Sequence, residues 1–557
     1  MVRVVRIGAR LDVAGAAVGL ALMALSLTPS LLPRPAWGQG FVSGLAFAVG
    51  YGVGVLAWRG IAALSRGRLP RAAEARAWIV ILIGLAGAAV LMPFALRWQD
   101  SVHEAVGIPD TDGFDWLVGV IFFALGAWLA FAIGRGVAAG YRRLHALIAP
   151  RMPGRDGRPR VAGGVTIGAT LVAMLVVFSL GLGVLSWLLT LASEHANRQY
   201  DPEYAQPTSP LRSGSSESLV KWEQVGSEGA KIVGGGPTAA QIEAVTGVAA
   251  EEPIRVYVGV DVPGTFEEKA QLAVQELERT GAADRSVLMI AGTTGSGWLD
   301  PAAIDGFEYL HAGDTAIVSL QYGATGSPVS ALLTPDLSQD GTSALVHAVT
   351  DWWGTLPADS RPQLVVYGLS LGSFGIQAAF ADQADLQSST EGAVLAGTPS
   401  FTPVWQEAQN SRDAGSPYSL PVLDEGAHVR WSDAWGGLDT PSGPWEDTRV
   451  AYLQHGNDPI VWIGPSVIWS KPQWLQDGQR SDQVSPDMVW IPVVTAFQGV
   501  IDLILSTAVP EDAGHKYGNL AVDALHQVTG DAGLSADAVA RIRLVIEEYD
   551  TFSPVAN

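Results

Sequence analysis

The sequence predicts an α-helical transmembrane bundle of about five spans over residues 1–193, a linker over 194–250, and an α/β domain with a mostly parallel sheet over 251–557. Three observations carry this reading. Five apolar stretches, near 11–32, 40–58, 78–96, 115–134 and 162–192, approach or exceed the ~20 residues that a helix needs to cross a bilayer. Beyond them, short apolar runs alternate with helix-compatible ones, and strands apolar on both faces call for a parallel sheet covered on both sides. Finally, the β-branched run Leu364 to Tyr367 feeds directly into Gly368-Leu369-Ser370-Leu371-Gly372, and a helix-compatible segment, Phe374 to Ala381, follows.

Within the five stretches the cores lack Lys, Glu and His, and Arg10, Arg59, Arg97 and Arg135 stand at the ends. Frequent Gly and Ala let helices approach closely. Residues 1–192 hold 17 Arg, no Lys and 8 Asp or Glu, a formal +9, and the rest of the chain carries −30, for −21 overall. Arg is concentrated in alternate loops. Arg3, Arg6 and Arg10 precede the first stretch; Arg59, Arg66, Arg68, Arg71 and Arg76 follow the second; Arg135, Arg142, Arg143, Arg151, Arg155, Arg158 and Arg160 follow the fourth. The intervening loops hold only Arg34 and Arg97, the latter among Asp100, Glu104, Asp110 and Asp112. The positive-inside rule places the N-terminus in the cytoplasm and everything after about residue 193 outside, with the bilayer as partner. Thr28-Pro29-Ser30-Leu31-Leu32-Pro33 offers no small-x-small cleavage site, so the first stretch reads as a span rather than a signal peptide. No ionisable group deep in a span marks a proton or ion pathway, so the bundle reads as an anchor.

Residues 194–250 are rich in Ser, Gly, Pro and Glu, a linker composition with room for a short helix at 238–248. Strands are then expected at Ile254–Val260, Val287–Ala291, Thr315–Leu320, Leu364–Tyr367, Ala393–Gly397, Val450–Leu453 and Val489–Val493, with helices at 266–279 and 340–354. Eight tryptophans (405, 431, 435, 445, 462, 469, 474 and 490) crowd the region that includes an insertion at about 401–447. Such a cap offers apolar walls for an acyl chain or sugar, or a surface on lipid headgroups; ordinary packing explains most of these residues equally well.

The chemistry begins at Ser370. A serine two residues from a glycine on either side, between strand and helix, is what a nucleophile elbow requires: the turn is tight, and the helix N-terminus faces a developing oxyanion. A serine needs a base, and the base needs an acid to hold its tautomer. In this architecture they follow in the order Ser, acid, His. Asp458, after the strand Val450–Leu453, fits the acid, with Asp433 and Asp447 as alternatives. Of the histidines beyond residue 193, only His515 and His526 lie downstream of Asp458; His526 falls in a helix-like stretch, so His515 is preferred as the base and His455 as a turn-shaping residue. The oxyanion donors would be the N–H of Leu371 and that of Thr293 or Thr294. The chain has no cysteine, which excludes disulfides, a thiolate nucleophile and Cys-based metal sites. No His/Asp/Glu group has metal-ligand spacing, so neither metal nor cofactor is expected. The acidic second part argues against nucleic acid as a partner.

Together, Thr28-Pro29-Ser30-Leu31-Leu32-Pro33-Arg34, Gly368-Leu369-Ser370-Leu371-Gly372, the Asp458 loop and Gly514-His515-Lys516-Tyr517 resemble the actinobacterial membrane-anchored α/β-hydrolase family over essentially the full length. One departure is that only Asn457 separates Gly456 from Asp458, where many hydrolases have two residues. The resemblance implies a multi-span N-terminal region and an extracytoplasmic α/β-hydrolase domain. The expected function is that of a membrane-anchored serine hydrolase or acyltransferase acting on acyl esters of envelope lipids or acylated glycans, through an acyl-enzyme. The alternative is a lipid or polymer transport or binding protein with a non-catalytic hydrolase-like domain.

Overall fold

The computed structural model describes residues 10–65, 74–108, 116–151 and 159–549. Arg3, Arg6, Arg66, Arg68, Arg71, Arg155, Arg158, Asp110 and Asp112, which help to orient the chain, lie outside the described residues. The chain divides into two compact units. One comprises 1–185 together with 485–502, the other 186–484 together with 503–557.

The first unit is helical: α1 (Val13–Leu25), α2 (Ala36–Leu64), α3 (Ala77–Val106), α4 (Trp116–Ile148) and α5 (Pro159–Asn197), the last of which runs on into the second unit. Among the described residues, three helices are long and apolar enough to cross a membrane: Ala36–Leu64, Leu117–Ile148 and Gly163–Asn197. That is fewer than the five expected. The first stretch, expected as one span over 11–32, stops at Leu25, and 13 residues at 1.5 Å each reach only about 20 Å. Pro29, Pro33 and Pro35 prevent its continuation, since each lacks an N–H and disfavours helix at the residue before it. α1 packs on α2 through glycines: Gly15 and Gly19 lie against Tyr51 and Phe47, and Gly50 and Gly54 against the backbone of Val18 and Ala14. Gly40 and Gly44 of α2 meet the carbonyls of Gly119 and Phe123 of α4. A Cβ at any of these contacts would push the helices apart, which is the role small residues play between membrane helices. None of an apolar 18-residue stretch within Gly163–Asn197 is buried, so its apolar surface needs lipid or another chain to cover it.

The second unit is built on a seven-stranded sheet: β1 (Ile254–Val258), β2 (Val287–Gly292), β3 (Thr315–Leu320), β4 (Gln363–Leu369), β5 (Gly392–Ala396), β6 (Val429–Ser432) and β7 (Arg449–Leu453). The spatial order is β1-β3-β2-β4-β5-β7-β6, and every pairing is parallel. The middle strands are buried along their whole length, matching their apolar sequences. Helices 266–280, 301–310, 335–354 and 518–529 cover the sheet. Register aligns Gly292 with Gly368, Leu369 with Ala396 and Ala396 with Leu453, so the loops after β2, β4, β5 and β7 leave one carboxyl edge together.

Three expectations change. The 194–250 segment is folded rather than a bare linker. Arg212 forms a parallel bridge to Arg255 on the outer edge of β1, and the helices Gly226–Gly234 and Ala239–Thr246 send Ile232, Val233 and Ile242 into the core beside the sheet. The Thr238–Gln241 capping box starts the second helix where a helix was expected. The 401–447 insertion contains the edge strand β6, whose Val-Arg-Trp-Ser pattern hides a buried Arg430 satisfied by the carbonyls of Gly426, Leu438 and Gly443. Val489–Val493, expected as the last strand, is not one, and it belongs to the first unit.

The second unit also buries an ion cluster. The Arg255 guanidinium spans both Glu308 oxygens at 2.7 and 2.6 Å, Asp305 at 2.6 Å and the Ile232 carbonyl at 2.7 Å. It ties β1 to helix 301–310 and to the 226–234 helix.

Candidate active site

Ser370 sits where the sequence placed it, between β4 and the helix Leu371–Gln377, at φ 59° and ψ −122°. A non-glycine residue rarely holds that conformation, and its cost is of order 1–3 kcal/mol, offset by the surrounding packing. Its neighbours cannot carry side chains. A Cβ on Gly368 would stand 2.5 Å from the Ser373 nitrogen, and one on Gly372 would strike the Gly292 carbonyl of the adjacent strand. The turn is held from below by the Ser370 N–H, which donates to the Ala396 carbonyl at 3.0 Å.

Asp458 and His515 come together from loops 57 residues apart, with Nδ1 of His515 2.7 Å from Asp458 Oδ2. Both are buried. Neither Asp433 nor Asp447 is hydrogen-bonded to His515; Asp447 is exposed beside Arg449. His526 instead pairs with Asp531 at 2.7 Å. The two loops are stitched together at successive residues, because Gly514 N–H donates to Asn457 Oδ1 at 2.8 Å next to the His515–Asp458 bond. Asp458 receives two more donors, the Ile460 N–H at 2.8 Å and the Tyr517 hydroxyl at 2.7 Å. It also caps the short helix Pro459–Trp462, which fixes its rotamer.

Ser370 and the Asp458–His515 pair share one support. Gly397 follows Ala396, whose carbonyl holds Ser370, and a Cβ on Gly397 would stand 2.5 Å from His515 Cε1 and 2.8 Å from Tyr517 Cε2. The imidazole therefore lies directly on the strand end that braces the serine. His515 Nε2 is buried and without a hydrogen-bond partner; no hydrogen bond joins it to Ser370 Oγ. Apo sites commonly show this, with the bond closing in the substrate complex.

The two sequence candidates after β2 differ. Thr294 N–H is spent on the Trp298 carbonyl at 3.0 Å, whereas the Thr293 N–H donates to no backbone carbonyl and its hydroxyl is bonded to Leu320 O at 2.9 Å. The Leu371 N–H, in the first turn of its helix, is likewise uncommitted. Among the described residues, two free amides thus stand after β2 and after Ser370.

Sequence reasoning missed Tyr517. Its hydroxyl donates to Asp458 and accepts the His455 N–H at 3.0 Å, and its ring stacks on His455 with centroids 4.3 Å apart. Burial first, and Asp458 second, push its phenol well above the usual tyrosine range, so it stays a donor. The only sequence signal was its place in the His515 loop, which assigns no role. His455 lies beneath, its Nδ1 2.9 Å from the Gly514 carbonyl, and burial lowers its pKa to about 4. Between pH 6.5 and 4 the unfolded chain binds a proton at this imidazole that the folded chain refuses. Stability is therefore full above that window and lost as pH falls through it, by at most on the order of 3 kcal/mol. Chemical denaturation at stepped pH should show this slope in the wild type and a shallower one in His455→Gln.

The tryptophans serve mainly as packing. Trp405, Trp431, Trp462 and Trp474 are buried, Trp405 donating to Gln454 and Trp431 stacking on Tyr452; Trp469 stands exposed.

No curated protein and no solved structure was found to match the chain. Residues 27–237 match the family described as alpha/beta-hydrolase family N-terminus. Residues 254–542, more than half of the sequence, match the alpha/beta-hydrolase family, and with a parallel sheet of the corresponding design the chain belongs to that family.

Proposed function

We propose that the protein is a membrane-anchored serine hydrolase or acyltransferase that acts on acyl esters of envelope lipids or acylated glycans. The observation that carries this reading is the strained Ser370 elbow braced on the same strand end as the buried Asp458–His515 pair. Ser370 Oγ attacks the acyl carbonyl carbon while His515 Nε2 takes its proton. Asp458 holds Nδ1–H and steadies the imidazolium. The oxyanion rests on the N–H groups of Leu371 and Thr293, with Thr294 excluded by its bond to Trp298. Collapse expels the alcohol, which leaves with the proton from His515. Water, or an alcohol acceptor, then bonds the acyl carbon while giving a proton to His515, and His515 returns that proton to Ser370 Oγ as the acyl–serine bond breaks. Full-length protein in detergent should turn over a short-chain p-nitrophenyl ester, and Ser370→Ala should lose essentially all of that turnover. Retained turnover in the variant, or none in the wild type against any ester, rejects the reading and favours a binding role.

The Arg-rich segments around 59–76 and 135–160 place those ends in the cytoplasm and the unit that follows α5 outside, an arrangement that requires α3 to cross as well. The absence of cysteine makes this directly testable. In intact cells a membrane-impermeant maleimide should label Glu278→Cys, on an exposed face of the second unit, and spare Arg143→Cys; the reverse pattern refutes the orientation.

A further inference from the structure

The loop after β2, which carries the Thr293 amide, is gripped by two side chains from other strands of the same sheet. Within the loop, the Thr294 N–H donates to the Trp298 carbonyl at 3.0 Å and the Gly297 N–H to the Thr294 carbonyl at 2.9 Å. Those bonds close the turn without fixing it on the sheet. The fixing bonds come from β1 and from the end of β3. Tyr257 of β1 reaches the loop from the far side of β3, and its hydroxyl donates to the Gly297 carbonyl at 2.7 Å. Gln321, directly after β3, donates from Nε2 to the Ser296 carbonyl at 2.7 Å. All of these residues belong to the second unit. Both side chains are fully buried. Gln321 has its whole amide committed, since Nε2 also donates to Asn197 Oδ1 at 2.9 Å and Oε1 accepts the Val260 N–H at 3.0 Å. Burial holds the Tyr257 phenol well above the usual tyrosine range, so it stays a donor.

Gly297 is fitted to this grip. It holds φ at 92°, and a Cβ there would strike the Tyr257 hydroxyl and stand 2.6 Å from Gln321 Cγ. The two side chains therefore close on the backbone of the loop itself. What their bonds supply is direction. A peptide plane can turn either its N–H or its carbonyl toward a developing anion, and apolar packing would hold the loop in place without choosing between them. With the Ser296 and Gly297 carbonyls drawn to β1 and β3, and the Thr293 hydroxyl tied to the Leu320 carbonyl at 2.9 Å, one orientation is set before substrate arrives. An oxyanion site works by being in place when charge develops, because donors that must first turn give back part of what they contribute.

We propose that Tyr257 and Gln321 are positioning residues for the oxyanion site, holding the 293–298 loop so that the Thr293 N–H is presented to the negative oxygen as it forms. This rests on the hydrolase reading above. A displacement of about 1 Å at a catalytic group costs up to roughly 100-fold in rate. Because the amide acts on the tetrahedral state, loosening the grip should lower kcat and leave KM nearly constant. The test uses full-length protein in detergent carrying Tyr257→Phe, which removes one hydroxyl, and independently Gln321→Met, which keeps the chain length and removes the amide. Active sites are counted by exhaustive fluorophosphonate capture, and kcat is expressed per captured site. Inhibition by a trifluoromethyl ketone is measured beside it: its carbonyl carbon bonds Ser370 Oγ, the serine proton passes to His515, and the carbonyl oxygen becomes a tetrahedral oxyanion. Expected are a kcat per site lowered roughly 10- to 100-fold, an inhibition constant raised by the same factor, and KM nearly constant. A variant with kcat per site and inhibition constant unchanged overturns the role of its residue, as does one with a raised KM and kcat intact. A variant that merely loses captured sites, down to none, marks its residue as purely structural and overturns that role too. Ser370→Ala, run alongside on the ester, separates the two claims. Its loss of turnover keeps the hydrolase reading whatever the two variants do, whereas its retained turnover overturns that reading and with it the oxyanion role that Tyr257 and Gln321 serve.

Discussion

Asp458→Asn in the full-length protein is expected to lower kcat by about 10⁴-fold, with KM changed far less. The reason is the number of donors that converge on this carboxylate. Asp458 Oδ2 faces His515 Nδ1 and the Tyr517 hydroxyl, and Oδ1 faces the Ile460 N–H. An amide offers one acceptor oxygen where three donors need to be met. If its oxygen stays on Ile460, its NH₂ faces Nδ1, and the imidazole must carry its proton on Nε2, the tautomer unable to accept one from Ser370. If it flips, Ile460 N–H is left buried without a partner, at a cost of about 1–3 kcal/mol in stability. Tyr517→Phe is the useful contrast, because it removes one donor and leaves the His515 bond intact. Its loss should be about 10- to 100-fold, in line with the roughly 1.5–3 kcal/mol typical of bonds to charged groups. Steady-state kinetics of the two variants on one ester separates them, and equal losses would show that Asp458 does not act through the His515 tautomer.

The largest stability effect is expected at Arg255→Met, which should destabilise the hydrolase unit by about 3–5 kcal/mol. Glu308 and Asp305 would lose the guanidinium they are hydrogen-bonded to, keeping only the more distant charge of Arg212, and the Ile232 carbonyl would lose its donor. Tyr549, which donates to Asp305 at 3.0 Å, cannot replace a cation. Truncating the acid as well, in Arg255→Met with Glu308→Leu, removes one of the stranded charges and should recover part of the loss. Urea denaturation followed by tryptophan fluorescence reads both. If the single variant costs under about 1 kcal/mol, the cluster is exposed to water in solution or relaxes freely, contrary to its burial here.

The parts of the fold that are local in sequence were legible, and the parts that depend on distant segments were not. β2, β3 and β5 are runs of apolar residues buried along their length, and each was readable within a residue or two. β6 was not, since a strand of four residues containing a buried arginine has neither the length nor the apolar pattern of a core strand. Val489–Val493 has the composition of a strand, but Pro492 lacks the N–H that a ladder needs, and the segment lies with the helices. The polar composition of 194–250 concealed Ile232, Val233 and Ile242, few in number but set on helices that face the core. Apolar runs marked where helices exist and not where they end: α4 continues past Arg135 through Arg142 and Arg143 to Ile148, whereas α1 stops short at its prolines.

The same division holds at the site. Ser370, Asp458 and His515 could be nominated because each stands in a short motif in a fixed chain order, and the structure brings Asp458 and His515 into contact beside the elbow. Tyr517 and Gly397 act only through the folded arrangement of loops, and Tyr257 lies 40 residues along the chain from the Gly297 carbonyl that it holds. No motif marks that pair.

The most direct test of the central claim is the site of covalent capture. Full-length protein treated with a fluorophosphonate and digested should carry a single phosphonyl adduct on the peptide containing Ser370, formed rapidly in the wild type, far more slowly in His515→Gln, and not at all in Ser370→Ala. An adduct on any other residue, or one that forms at the wild-type rate without His515, would contradict the account.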